Sequence, residues 1–129
     1  MTEIYKYKDA VLPDGFRFPD DYFRFLSDGA RKDLKPWWFL CDMPSVADFW
    51  LDDLERQYPG RRLIPFAKLE DSDDVACFDG FDTSGNPGVQ YIHAFASVGW
   101  ERRGTEDNFL GWLEQAKNDH CVYMAEREN

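Results

Sequence analysis

Three stretches of the chain place apolar residues three or four positions apart, the spacing that gives an α-helix one apolar face. The first helix is expected to open at Pro19, a residue favoured in a first helical turn. The second is expected to begin at Ser45, with Asp48 as its capping partner, and to end before Pro59-Gly60. The third is expected to begin at Thr105. The apolar positions on the three faces are Tyr22, Phe25 and Leu26; Val46, Phe49, Trp50 and Leu54; and Phe109, Trp112, Leu113 and Ala116.

Between the second and third helices the pattern changes to short apolar runs separated by turn-forming residues. Strands are predicted over residues 63–69, 75–78, 89–95 and 97–102. Residues 37–40 form either a short strand or an apolar anchor, because four positions are too few for periodicity to decide. In a strand, Trp37 and Trp38 could not both face the core. Consecutive strands joined by short turns favour an antiparallel meander.

Composition fits one folded domain spanning residues 1–129. Of these residues 43% are hydrophobic, and 11 Phe, 6 Tyr and 5 Trp supply enough large rings for a packed core. A disordered chain or a collagen is thereby excluded. The predicted fold class is α+β, with a mostly antiparallel sheet of about four to six strands packed by helices.

Neither a membrane span nor an extracellular disulfide framework is expected. The longest apolar cluster covers residues 37–41, far short of the roughly 18 residues a spanning helix needs, and the first residues lack an apolar signal segment. Cys41, Cys77 and Cys121 are widely spaced among apolar neighbours. We therefore expect a cytoplasmic protein with buried free thiols.

The residues carry no motif of a catalytic, metal or nucleotide site. His93 lies in a predicted strand among aromatics, which favours a hydrogen-bonded structural role, although a Cys–His pair formed by folding stays open. Asp71, Asp73 and Asp74 begin like a calcium loop, but Val and Ala follow where a ligand and a glycine are required. We expect no enzyme activity, no cofactor and no bound metal.

Negative charge is concentrated in two stretches of a chain whose formal net charge is −10. Residues 42–55 contain five carboxylates and residues 70–82 contain six, with no Lys or Arg in either stretch. The other 14 acids nearly balance the 15 Lys and Arg residues. Such a distribution argues against nucleic-acid binding. It fits either an ordinary solvated face or a docking surface for a basic partner.

Most of the rings fall on predicted core faces, and Trp100 is the best candidate for an exposed one. Gly99 precedes it, and the charged run Glu101-Arg102-Arg103 follows it. An exposed tryptophan beside charged residues is typical of an anchor in a protein interface.

Several short segments, taken in their order, resemble the Smi1/Knr4 family, which is also called the SUKH superfamily. FPDDYFRFLSDG at residues 18–29 is similar to the family's opening helix. The segments IPFA at 64–67, DDVACFD at 73–79 and GVQYI at 88–92 are similar to its strands, and NFLGWL at 108–113 to its closing helix. The resemblance covers about residues 16–117.

The resemblance implies an α+β fold without catalytic residues. Many bacterial members are immunity proteins that neutralise a toxin, often a nuclease, of a polymorphic or contact-dependent toxin system, whereas fungal relatives are regulatory scaffolds. A nuclease toxin presents positive charge because it binds phosphates, so its surface would be complementary in charge to the acidic stretches. We expect a basic protein partner of the toxin-domain kind, no nucleic acid, and a monomer or weak homodimer. The expected partner-binding residues are Asp71, Asp73, Asp74, Asp79, Asp82 and Trp100.

Two alternatives remain open at this point. One is a regulatory interaction module without a toxin partner. The other is a small-molecule binder with a concave site around His93.

Overall fold

The computed structural model describes residues 4–29, 31 and 33–127, which form three α-helices, five strands and two short 3-10 turns. The helices are α1 (Asp20–Ser27), α2 (Pro44–Gln57) and α3 (Phe109–Arg127). The strands are β1 (Trp37–Phe39), β2 (Leu63–Leu69), β3 (Asp74–Asp79), β4 (Val89–His93) and β5 (Arg102–Glu106). The 3-10 turns are Asp9–Val11 and Leu40–Asp42.

The five strands form one sheet in the order β1-β2-β3-β4-β5, and every neighbouring pair is antiparallel. The sheet is therefore a meander, and the predicted α+β class is confirmed. Strand β3 is central, so it is paired on both sides. Within the described part of the chain, no helix combines the length and apolar character needed to span a lipid bilayer.

One face of the sheet is covered by α1 and α3 through a cluster of aromatic rings. Phe66 of β2 stacks on Phe78 of β3 with their ring centroids 4.2 Å apart. Tyr22 of α1 meets the edge of the Phe78 ring at 5.5 Å, and Trp112 of α3 meets Phe66 at 4.9 Å. The predicted apolar stripe of the third helix is confirmed, because Phe109, Trp112, Leu113 and Ala116 are all buried.

The opposite face of the sheet is covered by α2. Lys68 pairs with Val75 in the β2–β3 register, and alternation places both on the side away from Phe78. The Lys68 ammonium lies 5.7 Å from the centre of the Trp50 ring of α2. Cys77 of β3 points to this same side and is fully buried. The sheet is thus the middle of three layers.

The buried face of α2 differs from its prediction. Ala47, Trp50 and Leu54 are buried, whereas Val46 and Phe49 are exposed, because they flank the line that contacts the sheet. The helix begins at Pro44 without a side-chain capping bond. The predicted Ser45–Asp48 capping pair is therefore wrong, and the Asp48 carboxylate instead accepts a hydrogen bond from the Tyr5 hydroxyl.

The predicted bounds after β4 are also corrected. Residues 97–101 form a loop, and the last strand runs over Arg102–Glu106, so Thr105 lies in a strand and caps no helix. Helix α3 begins at Phe109, where Asn108 Oδ1 accepts a hydrogen bond from the Gly111 amide at 3.0 Å. β5 carries polar residues on both faces, so it lacks the alternation that would have predicted a strand.

Strand β1 settles the open question about residues 37–40. Trp37 and Phe39 are buried, whereas Trp38 between them is exposed, as strand alternation requires.

Candidate partner-binding surface

One end of the sheet carries an unusual concentration of exposed apolar side chains. The connection between β4 and β5, residues 94–101, lies at this end and is called here the aromatic loop. The turn between β2 and β3, residues 70–73, lies beside it, because the Ala94 amide donates to the Asp73 carbonyl at 2.9 Å.

The aromatic loop presents its largest side chains to solvent. Phe95 is 62% exposed, Val98 is 79% exposed and Trp100 is 75% exposed. The expectation that Trp100 is an exposed ring is confirmed. Exposing apolar area to water is unfavourable, so three such side chains on one short loop make it a candidate docking surface.

A second exposed ring, Phe49, lies on α2 near the loop. The Phe95 ring lies 6.1 Å from the Trp50 ring, which in turn packs edge-on against Phe49 at 5.7 Å. Trp50 is buried, so the exposed Phe49 and Phe95 rings lie on either side of a core residue. Sequence periodicity assigned Phe49 to the core, and so it missed this part of the surface.

Hydrogen bonds between two side chains at the end of α2 and the loop backbone hold the loop in place. The Tyr58 hydroxyl donates to the Ala96 carbonyl at 2.7 Å, and the Phe95 amide donates to Gln57 Oε1 at 2.6 Å. Phe95 itself has a φ of +67°, a left-handed conformation that is uncommon for a bulky residue. The loop is therefore tied to the helix while its side chains point outward.

An ion pair between a buried carboxylate and a partly exposed guanidinium closes the loop. Glu101 is 2% exposed, and its carboxylate lies 3.2 Å from Arg61 Nη2 and accepts the Gly99 amide at 3.1 Å. Burial raises the pKa of Glu101, but the hydrogen bonds from Gly99 and Arg61 outweigh burial and hold that pKa below its usual value. Glu101 is therefore ionised at neutral pH.

Acidic residues from the neighbouring turn border this apolar surface. Asp71 and Asp73 are exposed in the turn. Asp74, the first residue of β3, is partly buried and bonds to Ser72 Oγ at 2.7 Å and to His93 Nδ1 at 2.8 Å. Burial raises the pKa of Asp74, and these two hydrogen bonds more than offset that effect, so the pKa is lowered. Asp71 and Asp73 are thus the more available carboxylates for a partner.

The remaining two predicted acids lie at the opposite end of the sheet. Asp79 ends β3, and its carboxylate accepts the Phe81 amide at 2.9 Å. Asp82 accepts the amides of Ser84 at 3.0 Å and Gly88 at 3.1 Å. Five residue steps along β3 separate the two ends by about 16 Å. The structure therefore groups Asp71, Asp73 and Asp74 with the aromatic loop and assigns Asp79 and Asp82 to the β3–β4 turn.

The other acidic stretch, residues 42–55, is largely paired within the protein. Three arginines and one phenol contact its five carboxylates. The pairs are Asp42 with Arg31, Asp48 with Tyr5, Asp52 and Asp53 with Arg56, and Glu55 with Arg62. Arg31, Arg62 and Tyr5 are brought there by folding, whereas Arg56 lies one turn further along α2, so this surface is less negative than the stretch alone suggests.

Both histidines are hydrogen-bonded within the fold, and the central cysteine is buried. His120 Nδ1 bonds to the Lys35 carbonyl at 2.7 Å, and His93 is held by Asp74. Burial raises the pKa of the Cys77 thiol, which keeps it protonated and unreactive. Across residues 4–29, 31 and 33–127, no three His, Cys, Asp or Glu side chains are grouped so that they could hold a metal ion.

A groove of about 500 Å³ lies between the N-terminal segment, α2 and the start of β2. Its walls include Tyr5, Lys8, Leu51 and Arg62, whereas His93 is not among the lining residues. The expected concave site around His93 is therefore not where the groove lies.

No family model matches the chain, and comparison with characterised proteins and with solved structures finds no match.

Proposed function

We propose that the protein is a non-catalytic binding domain of the immunity type, which neutralises a basic toxin domain by covering it with the aromatic loop and its acidic border. The observation that carries this proposal is the exposure of Phe95, Val98 and Trp100 on a loop that is tied to the fold beside Asp71 and Asp73. Such a combination of apolar anchors and rim charges is what specific protein interfaces use.

Charge supports a basic partner. The chain carries a formal net charge of −10, so its long-range field attracts cationic surfaces and repels nucleic acid. A nuclease toxin must present cations to bind phosphates, and an acidic protein can occupy the same surface. Complementary potentials accelerate encounter and disfavour wrong partners. The resemblance to the Smi1/Knr4 family points to the same class of partner.

The first experiment is capture of partners from native lysate at low and moderate salt. The expected result is one basic polypeptide that moderate salt releases, because ionic screening weakens the rim charges. That polypeptide is then purified and assayed for nuclease activity with and without the acidic protein. Recovery of several unrelated regulatory proteins would instead favour the scaffold alternative.

Charge reversal then tests the surface itself. The variant D71K/D73K should weaken binding to the captured polypeptide strongly and should abolish its inhibition. The control D14K/D20K changes the net charge by the same amount at exposed positions. Asp14 lies in a turn whose Gly15 packs near Thr83 in the β3–β4 turn, at the far end of the sheet. Equal binding by the two variants would show that only net charge matters and would contradict the proposed surface.

A further inference from the structure

We propose that Glu101 and Arg61 are positioning residues that fix the aromatic loop in its binding conformation, so that Trp100 is presented to the partner already in place. This inference rests on the proposed function, because it concerns the same surface. Neither residue needs to touch the partner.

Glu101 sets the turn that carries Trp100. One carboxylate oxygen accepts the Gly99 amide at 3.1 Å, and the other lies 3.2 Å from Arg61 Nη2. Gly99 has a φ of +101°, so the chain turns sharply just before the indole. The Trp100 amide closes this turn by donating to the Ser97 carbonyl at 2.9 Å. The Glu101 carboxylate therefore bonds back to Gly99, so that the two residues flanking Trp100 are held together on the inner side of the loop.

Arg61 connects that carboxylate to the rest of the fold. It lies four residues beyond the end of α2, and its Nη1 also reaches Gln90 Oε1 of β4 at 3.4 Å. The turn is thereby fixed to α2 and the sheet together. At its other end the loop is held by Gln57 and Tyr58. The first half of the loop is therefore anchored to Gln57 and Tyr58 at the end of α2, and the second half to Arg61 in the segment that follows.

A role in stability alone does not account for this pair well. Glu101 is buried, whereas the Arg61 side chain is 31% exposed, and burying a carboxylate costs free energy that its partner only partly offsets. The distinctive contribution of the pair is to fix the loop conformation, because each hydrogen bond to the Glu101 carboxylate requires a particular geometry. A loop ordered before binding avoids the entropic cost of immobilising its side chains in the complex.

The partner that fits such a loop presents a preformed apolar pocket for an indole, surrounded by Lys or Arg. Binding should require little backbone movement in this protein. The association rate should fall with added salt, since encounter is driven by charge.

The first test needs no partner. The five tryptophans are labelled with 5-fluorotryptophan, and the Trp100 fluorine resonance is identified by its loss in W100F. In E101Q we expect this resonance to sharpen and move toward that of free 5-fluorotryptophan, while the other four stay unchanged. Y58F, which removes only the bond to Ala96, should give a smaller change in the same direction. An unchanged Trp100 resonance in a folded E101Q would overturn the inference.

The second test separates positioning from general destabilisation. E101Q should weaken binding to the captured polypeptide roughly tenfold in the wild-type background, because ordering is now needed on binding. In the W100A background it should have no further effect, since the side chain that it positions is gone. An equal loss in both backgrounds would show a merely structural role.

Failure of the two proposals can be told apart. If E101Q alters the Trp100 resonance but no basic partner is found, the positioning role stands and the proposed function fails. If E101Q does not fold, R61Q carries both tests, because it removes the cation that holds the Glu101 carboxylate at a partly exposed position.

Discussion

Truncation of Trp100 to Ala should separate binding from folding more cleanly than any other single change. The side chain is 75% exposed in the free protein, so its removal leaves no cavity in the core. Surface substitutions of this kind change folding stability by less than about 0.5 kcal/mol. The free energy of unfolding of W100A, measured by urea denaturation, should therefore equal that of the wild type.

The cost to binding follows from the area that a partner would cover. A large aromatic side chain buries about 150–250 Å², and three-quarters of this is on the order of 150 Å². At about 25 cal/mol per Å², burial is worth about 4 kcal/mol. Subtracting about 1 kcal/mol for immobilisation of the side chain leaves about 3 kcal/mol, or roughly a hundredfold in Kd.

Titration calorimetry with the captured polypeptide provides the assay, and F81A provides the control. Phe81 is also a largely exposed aromatic residue, but it lies in the β3–β4 turn at the opposite end of the sheet. The reasoning is refuted if W100A binds within threefold of the wild type, or if F81A weakens binding as much as W100A does.

Three further changes probe other parts of the fold. Phe66→Ala should lower the free energy of unfolding by about 3–5 kcal/mol, because Phe66 is buried between Phe78 and Trp112. Urea denaturation measures this loss, and a loss below about 1 kcal/mol would contradict the packing, because repacking rarely compensates more than that. Gly80→Ala should lower the melting temperature, because its Cβ would lie 2.3 Å from the Arg62 carbonyl oxygen, whereas Gly60→Ala, with open space around it, should not. Hydrogen bonds from Ser84 and Gly88 lower the pKa of Asp82 in the folded state. The stabilisation by ionised Asp82 is therefore fully present above the ordinary Asp pKa of about 3.9, and it is lost as the pH falls through the lowered folded-state pKa. The stability difference between wild type and D82N should therefore shrink below about pH 4, and a constant difference down to pH 2 would refute this role.

Much of the fold could be predicted because burial leaves a periodic signature. β2 and β3 are apolar runs of strand length, and the third helix repeats apolar residues at helical spacing. β5 was misplaced because an edge strand with the sequence RRGTE needs no apolar face. Phe49 was misplaced because periodicity cannot distinguish a core residue from an exposed one that adjoins the same stripe.

The candidate site could be predicted only in part. Trp100 was identified because its charged neighbours are atypical of a core residue. Asp71 and Asp73 were identified because residues 70–82 contain six acids and no Lys or Arg, a pattern that selected Asp79 and Asp82 equally. The Arg61–Glu101 pair joins residues 40 positions apart, and no local pattern could indicate it. Likewise, the cations that meet residues 42–55 include Arg31 and Arg62, which lie outside that stretch.

The burial of Cys77 at the centre of the middle strand has a practical consequence for following how the protein opens. The thiol lies between the sheet and the α2 layer, so a thiol reagent reaches it only after those layers separate. Cys121 is exposed on α3, against the expectation of burial, and should react in the native state, while Cys41 is half-buried. The labelling rates of the three thiols should therefore differ. Cys121 reports on the native surface, Cys41 on local opening, and Cys77 on separation of the core layers.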